Sequence, residues 1–197
     1  DDFLKTKQFK YQAVGRIVTN EEIHPILFDF QKDIVRWAVK KGRCAIFLDT
    51  GLGKTFVSLE WARLIGGRCL IVAPLSVARQ TIRESSKLGI SVNFAHDSAD
   101  LRDGINITNY ELIGHFTGDI DAVILDESSI LKSISGHIKR NLIETFRGVP
   151  YKLCCTATPA PNDYTEIGNH AHFLEICTHQ QMLSMFFINA NKEHTIE

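Results

Sequence analysis

The sequence predicts an α/β fold with a mostly parallel central sheet that is flanked by helices. Short apolar runs rich in isoleucine, valine, leucine and phenylalanine alternate along the chain with longer amphipathic stretches, and this alternation is typical of βαβ units. Several of the short runs are apolar on both faces, as strands inside a parallel sheet are. With 197 residues, of which 44% are hydrophobic, the chain is long enough for one full globular domain.

Six strands and four helices explain this alternation. Gly66 and Gly67 provide a C-cap for the second helix, because glycine readily adopts the left-handed conformation that ends helices. Trp37 and Trp61 lie on apolar helix faces and are predicted to pack in the core. The predicted strands are residues 44–49, 69–74, 91–96, 105–109, 122–127 and 152–157. The predicted helices are residues 30–42, 54–67, 76–89 and 137–148.

The composition restricts the environment and the partners of the protein. The formal net charge of −1 provides no general basic field, so contact with nucleic acid would require a local patch. The five cysteines form no CxxC pair, and we expect them to be reduced. The apolar runs are far shorter than the roughly 18 residues of a membrane span, and the acidic start is not a signal peptide. We therefore expect a cytoplasmic protein without membrane contact.

The stretch LDTGLGKT is a candidate phosphate-binding loop. A strand that leads through such a loop into a helix directs backbone N–H groups and the positive end of the helix dipole at one point, where an anion binds. Lys54 would reach the β- and γ-phosphate oxygens, and the Thr55 hydroxyl would hold Mg²⁺. Leu48 stands where the strict pattern has glycine, so an ordinary turn is the alternative. The predicted nucleotide-binding residues of the loop are Thr50, Gly51, Leu52, Gly53, Lys54 and Thr55.

Two adjacent carboxylates, Asp126 and Glu127, follow the hydrophobic run VIL. In a parallel sheet the end of this strand lies on the same edge as the phosphate loop. Asp126 would coordinate Mg²⁺, and Glu127 would face the water that attacks the γ-phosphate. Alone, such a pair is more often a solvated turn. Together with the loop it indicates an NTPase, with Lys54, Asp126 and Glu127 as the catalytic residues.

These residues resemble the helicase superfamily 2 motors and, within them, the Snf2-like DNA-dependent ATPases of bacterial and phage type. Five segments match this family in order over most of the chain. In the fourth of them, Ser128 and Ser129 replace the alanine and histidine of the family pattern. The segments are LFDFQ at 27–31, LIVAPLSVARQT at 70–81, ITNYE at 107–111, LDESSILKS at 125–133 and CTATPAPNDYTEIGNHAHFL at 155–174.

The resemblance implies that ATP and Mg²⁺ are the cofactors and that DNA, preferably duplex, is the partner. The Gln31 amide, which donates and accepts hydrogen bonds at once, would match the adenine edge. Thr156 and Thr158 would bond the acidic pair and couple the phosphate state to DNA contacts. Four further residues would contact phosphate or sugar without reading sequence, with capping and solvation as the alternative. These four are Ser76, Asn109, Tyr110 and Lys132.

The resemblance also implies a RecA-like fold and a domain organisation. Residues 21–175 would form the first RecA-like motor lobe, and residues 1–20 an extension that pairs as an edge strand or hairpin. Residues 176–197 show no further series of strands and helices and would lead to a second lobe, absent from this chain, that supplies an arginine finger. Because such a finger contributes about 10³–10⁵ in rate, we expect the isolated chain to be nearly inactive and little stimulated by DNA.

Two other functions are compatible with parts of the sequence. A P-loop ATPase of another type that acts on proteins would explain the loop and the acidic pair, but not Gln31 or the TATPAPN segment. A catalytically silent scaffold would keep the fold and bind a partner through the LSMFF stretch. Whether a motor of this kind unwinds DNA, moves along duplex or remodels a bound protein stays open, with movement along duplex favoured.

A metal site is the weaker of two interpretations for the stretch HAHFLEICTH. The first two histidines would point to different sides of a helix, and the spacing matches no standard zinc arrangement. The resemblance assigns this stretch to a helix. The candidate ligands would be His170, His172, Cys177 and His179.

Overall fold

The computed structural model describes residues 13–132, 136–190 and 193–196. Short 3-10 helices, including Tyr110–His115 and Ser128–Lys132, lie in several of the connections. The strands are β1 Arg43–Phe47, β2 Arg68–Ala73, β3 Val92–Phe94, β4 Gly104–Asn109, β5 Ala122–Asp126, β6 Tyr151–Thr156, β7 Phe187–Ala190 and β8 Glu193–Ile196. The α-helices are α1 Asp29–Lys41, α2 Lys54–Ile65, α3 Leu75–Ser85, α4 Gly136–Thr145, α5 Ile167–Phe173 and α6 His179–Phe186.

Strands β1 to β6 form one parallel sheet in the order β1–β6–β5–β2–β4–β3. The α/β fold class is confirmed, and each of the six predicted strands is present. The third is the least accurate prediction, because β3 has only 3 residues. Since all six strands run in the same direction, the carboxyl ends of β1, β6 and β5 lie side by side at one edge of the sheet, with β6 in the middle.

Each face of the sheet has its own hydrophobic core. In β2, Cys69 and Ile71 pack into the first core, whereas Leu70 and Val72 pack into the second. Helices α1, α2 and α3 contribute to the first core, and the second receives α4, α5 and the 3-10 helix Tyr110–His115. The central strands are therefore apolar on both faces because helices cover both faces.

A buried lysine attaches α5 to the sheet. Lys152, on β6, is only 1% exposed, and its ammonium group donates a hydrogen bond to the carbonyl of Phe173 at 3.0 Å. Glu175 lies 3.5 Å from the same group and also pairs with Arg43 of β1. Burial of Lys152 lowers its pKa to about 8. This arrangement, together with the buried Phe173 ring, places α5 directly behind the ends of β5 and β6.

The two chain ends differ from the sequence-based expectations. Residues 13–19 contain no strand, and the rest of the predicted N-terminal strand or hairpin, residues 1–12, lies outside the described residues. After residue 175, α6 and an antiparallel pair of strands, β7 and β8, were not predicted. The signal for α6 is present in the sequence, since Thr178 caps this helix by accepting a hydrogen bond from the Gln181 amide at 3.1 Å.

Two further observations concern membrane-spanning helices and the cysteines. No helix in the described part of the chain is both long and apolar enough to cross a membrane. All five cysteines are free thiols, and four of them are buried.

The two tryptophans occupy different environments. Trp61 is fully buried, as predicted, but Trp37 is 46% exposed and the prediction for it is wrong. The buried stripe of α1 contains Gln31, Val35 and Ala38, and Trp37 lies beside this stripe, on the surface next to Ile17.

We expect Trp61→Ala to reduce the free energy of unfolding by about 3–5 kcal/mol, because a large cavity would open in the first core. Trp37→Ala should change it by less than about 1 kcal/mol, as exposed substitutions usually do. Urea unfolding followed by circular dichroism measures both values. Equal losses in the two variants would contradict the different burial of the two side chains.

Candidate functional site

The loop between β1 and α2 has the conformation of a phosphate-binding turn. Gly53 caps α2 in the left-handed conformation, with φ 79° and ψ 35°, and Gly51 also has a positive φ of 85°. A Cβ atom on Gly53 would lie 2.3 Å from the Nε2 atom of Gln31. The backbone angle therefore favours glycine at position 53, and a larger residue there would displace the Gln31 amide.

Gln31 holds this loop from the side of α1. Its Nε2 atom donates to the Leu52 carbonyl at 3.0 Å, and its Oε1 atom accepts from the Phe28 amide at 2.9 Å. The side chain thus connects the LFDFQ segment to the loop, a role that the sequence did not predict. An amide nitrogen and oxygen can each form a second hydrogen bond, so the predicted contact with adenine stays a prediction.

Two exposed aromatic residues, Phe28 and Phe30, closely precede Gln31 in the chain. Phe28 is 69% and Phe30 is 43% exposed, and their rings stack with 6.2 Å between the centroids. Exposed rings of this size next to a polar amide form a surface on which a flat heterocycle can pack. The sequence analysis did not predict a role for either ring.

Lys54 is the first residue of α2 and lies over the loop. Its Nζ atom donates to the carbonyls of Leu48 and Asp49 at 3.1 and 3.4 Å. Asp49 also accepts a hydrogen bond from the Thr50 amide at 2.7 Å. The ammonium group therefore lies within the turn formed by the loop, next to the N-terminus of α2.

The acidic pair lies at the end of β5. Asp126 is only 5% exposed, and its pKa is raised to about 6, first because burial disfavours the charged form and second because Glu127 is near. The Glu127 amide donates to Asp126 at 3.0 Å, which partly opposes this shift. Glu127 has a φ of 52°, a left-handed conformation that is unusual for a residue with a side chain.

The loop and the acidic pair line one cleft of about 370 Å³. The predicted residues Thr50, Gly51, Gly53, Lys54, Thr55, Asp126 and Glu127 are all in its wall. The sequence thus correctly predicted that these groups come together, whereas their chemical roles stay predictions. Leu52, which belongs to the loop, and Gln31, which bonds the Leu52 carbonyl, are not in this wall.

Another wall of the cleft is formed by α3, and the sequence analysis did not predict it. Val77, Gln80 and Glu84 contribute to it, and Gln80 donates a hydrogen bond to Glu84 at 2.8 Å. Their spacing of three and four residues places them on one face of a helix. This spacing is visible in the sequence, but nothing in the sequence shows which element that face meets.

The predicted coupling residues do not make the predicted bonds. The Thr156 hydroxyl accepts from the Thr158 amide at 3.1 Å, so the two threonines bond each other and not the acidic pair. The connection between β5 and β6 comes instead from Ser128, whose hydroxyl donates to the Cys155 carbonyl at 3.2 Å. Thr156 is fully buried on β6.

Of the four candidates for nucleic-acid contact, two are accessible, one is buried, and one has a side chain that the structure does not describe. Ser76 is exposed near the start of α3. Asn109 caps the following 3-10 helix by accepting from the Leu112 amide at 3.1 Å, and it also lines a groove of about 530 Å³. Tyr110 is only 5% exposed, so the expectation of a backbone contact is corrected for this residue. The side chain of Lys132 lies outside the described part of the structure.

Tyr110 has a different role. Its hydroxyl donates to the backbone carbonyl of Asp126 at 2.8 Å. This bond gives the hydroxyl of the buried ring a hydrogen-bond partner.

No group of three potential metal ligands of the His, Cys, Asp and Glu types lies together in the described part of the chain. His170, one of the zinc candidates, is 2% exposed, and its Nε2 atom lies 3.0 Å from the Ser128 hydroxyl. The helix predicted for this stretch is present only over its first four residues, because α5 ends at Phe173.

Comparison with known proteins identifies the fold. No family model and no curated protein matches the sequence. The Sulfolobus solfataricus SWI2/SNF2 ATPase core in complex with dsDNA superposes with a TM-score of 0.72 at 19% identity, over 87% of this chain and 41% of that chain. The Pyrococcus furiosus Hef helicase domain gives 0.60 at 17% identity, over 81% and 39%. The UvsW helicase from bacteriophage T4 gives 0.58 at 14% identity, over 89% and 63%.

The chain therefore has the RecA-like fold of these ATPase and helicase structures, as the sequence motifs predicted. At these identities the likeness establishes the fold alone. The chain also spans less than two thirds of the length of each of these three structures.

The buried carboxylate predicts a pH-dependent effect on stability. Because folding raises the pKa of Asp126 from 3.8 to about 6, stability is lost as the pH rises from about 4 to 6 and stays reduced above that range. We expect Asp126→Asn to raise the free energy of unfolding at pH 7.5 by about 2–3 kcal/mol. This gain should fall by more than half at pH 4.5, where the native carboxyl is already protonated in the folded state.

Urea unfolding of both proteins at the two pH values measures this difference, with the exposed Asp119→Asn as the control. An Asp126→Asn variant that is less stable than the native protein at pH 7.5 would contradict the cost of burying this charge.

Proposed function

We propose that this chain is the ATP-binding first lobe of a Snf2-like superfamily 2 motor, which couples ATP hydrolysis to movement along duplex DNA. The observation that carries the proposal is the convergence of Lys54, Thr55, Asp126 and Glu127 on one cleft. A nucleotide-binding protein without hydrolysis would need the loop but not the buried acid. The acidic pair is what favours a hydrolase.

The triphosphate would bind at the N-terminus of α2. The backbone amides of the loop and the helix dipole supply a positive potential there, and Lys54 adds a full charge. In the sheet order, one strand separates β1 from β5, which places the loop and the acids about 10 Å apart at the strand spacing of parallel sheets. A triphosphate that leaves the loop can span this distance and reach the acids.

The chemistry of the donor set fits a magnesium ion. Thr55 and Asp126 offer a hydroxyl and a carboxylate, the oxygen ligands that Mg²⁺ prefers. Among the described residues, Lys54 is the one cation that acts on the buried carboxylate. Bound there, the ion would neutralise charge on the phosphate oxygens. Glu127, at the cleft surface, would orient the attacking water and accept its proton.

The base would pack near the LFDFQ segment. Phe28 and Phe30 provide exposed rings. The side-chain amide of Gln31 follows these rings in the chain and also bonds the loop. Because Gln31 also bonds the Leu52 carbonyl, recognition of the base and the shape of the phosphate loop would be connected through one side chain.

Nucleic acid would bind near the carboxyl ends of β2 and β4. The groove there is lined by Arg79, His96 and Asn109 among others, and Ser76 is exposed nearby on α3. These are groups that bind phosphate oxygens without reading sequence. The SWI2/SNF2 ATPase core with this fold is in complex with dsDNA, which supports duplex DNA as the partner. A second RecA-like lobe would complete the cleft and supply the arginine finger.

Lys54→Ala should abolish the binding of Mg-ATP, because the loop would lose the charge that balances the β- and γ-phosphates. Isothermal titration calorimetry measures the affinity, and Lys40→Ala, at an exposed position of α1, is the control. Absence of binding by the native chain would instead favour a catalytically silent scaffold.

Gln31→Ala should weaken ATP more than GTP. The variant loses the support of the loop, which affects both nucleotides, and also the hydrogen bonds to adenine, which affect only ATP. Competition of each nucleotide against a fluorescent ATP analogue gives the two affinities. An equal loss for both would limit Gln31 to holding the Leu52 carbonyl.

A further inference from the structure

A buried polar pair lies directly behind the acidic residues. Ser128 is fully buried and His170 is 2% exposed, and the Nε2 atom of His170 lies 3.0 Å from the Ser128 hydroxyl oxygen. Ser128 belongs to the segment that follows β5, whereas His170 is on α5. The pair therefore joins the acidic end of β5 to a helix that is 42 residues further along the chain.

The number of protons on the Ser128 hydroxyl determines which atom donates in its hydrogen bond with His170. The Ser128 hydroxyl has one proton and donates it to the Cys155 carbonyl on β6 at 3.2 Å. Its oxygen must then accept, so the Nε2 atom of His170 is the donor. Burial lowers the pKa of His170 to about 4, which keeps the ring neutral and leaves the Nδ1 atom without a proton. That atom is buried and has no hydrogen-bond partner.

An unpartnered buried nitrogen reduces stability. An apolar side chain at position 170 would avoid this cost, since the ring otherwise packs against Phe47 with 5.6 Å between the ring centroids. The hydrogen bond to Ser128 is the one polar contact of His170 among the described residues that offsets the cost. Stability alone therefore gives no reason for a histidine here.

The residue between Asp126 and Ser128 is strained. Glu127 has a φ of 52°, which costs free energy for any residue with a Cβ atom and persists only where its surroundings enforce it. The backbone is held on both sides of this residue. The Tyr110 hydroxyl bonds the Asp126 carbonyl at 2.8 Å, and Ser128 is held by the Cys155 carbonyl and His170.

We propose that His170, acting through Ser128, is a positioning residue that keeps Glu127 in its left-handed conformation, with the carboxylate at the wall of the nucleotide cleft. The proposal rests on the proposed ATPase function. His170 itself does not touch the nucleotide, because it lies behind the strand ends. Lys152 and Phe173 hold α5 against the sheet, so the imidazole has a fixed position from which to hold Ser128.

The test compares hydrolysis with nucleotide binding in the same variants. His170→Leu and Ser128→Ala should each slow the single-turnover hydrolysis of radiolabelled ATP, with protein in excess, by roughly tenfold, since small displacements of a catalytic group reduce rates strongly. The dissociation constant for Mg-ATP should change by less than about twofold, because the loop is intact. His170→Gln, whose amide can donate at a similar place, should recover most of the rate.

The controls separate positioning from general destabilisation. His172→Leu, on the same helix, should hydrolyse ATP at the native rate. The double variant Ser128→Ala/His170→Leu should be no slower than either single variant, because both act through one hydrogen bond. Ser128→Ala changes little volume, so it remains folded and tests the proposal even where His170→Leu does not fold. Thermal unfolding verifies that each variant is native at the assay temperature.

The variant Glu127→Gln distinguishes a failure of the positioning role from a failure of the proposed ATPase function. If it abolishes hydrolysis while folded Ser128→Ala and His170→Leu keep the native rate, the positioning role is overturned and the proposed function stands. Native hydrolysis that is unaffected by Glu127→Gln, or a native chain that does not bind Mg-ATP, would remove the proposed function and the positioning role with it. Slow hydrolysis with unchanged binding in both variants, and recovery in His170→Gln, would support the positioning role.

Discussion

The parallel direction of six neighbouring strands is the constraint on which the site depends. Because β1, β6 and β5 all end at the same edge, the phosphate loop and the acidic pair face each other although more than 70 residues of chain separate Lys54 from Asp126. Helices on both faces provide the two cores that keep these strands buried. The site then needs only short loops at the strand ends, and the direction of the sheet places them.

The same arrangement creates free-energy costs at the site. Asp126 is a carboxylate in a nearly dry position, Glu127 has a strained backbone, and the loop contains two glycines with positive φ. Each feature reduces the stability of the fold. Costs of this kind cluster at functional sites, and here they cluster within the one cleft that the loop and the acids share.

The buried hydroxyl contacts show how the strained segment is held. Tyr110 contacts it from the 3-10 helix that follows β4, Ser128 bonds it to β6, and His170 contacts it from α5. Three different elements thus converge on the backbone around Glu127. The segment at Tyr110 continues from Asn109, at the groove proposed for nucleic acid.

The sequence by itself determined the sheet, the loop and the acidic pair, because these depend on local patterns: apolar runs, glycines before a Lys-Thr pair, and carboxylates at a strand end. Only the tertiary structure decided which side chains meet across elements. Tyr110 followed a strand as a solvent-facing residue would, yet it lies in the core. Trp37 belongs to an amphipathic helix, yet it is half exposed. Thr156 is buried, and the side-chain hydrogen bond from the end of β5 to β6 comes from Ser128 instead. Such contacts depend on how helices are placed over the sheet, and local spacing contains no information about that placement.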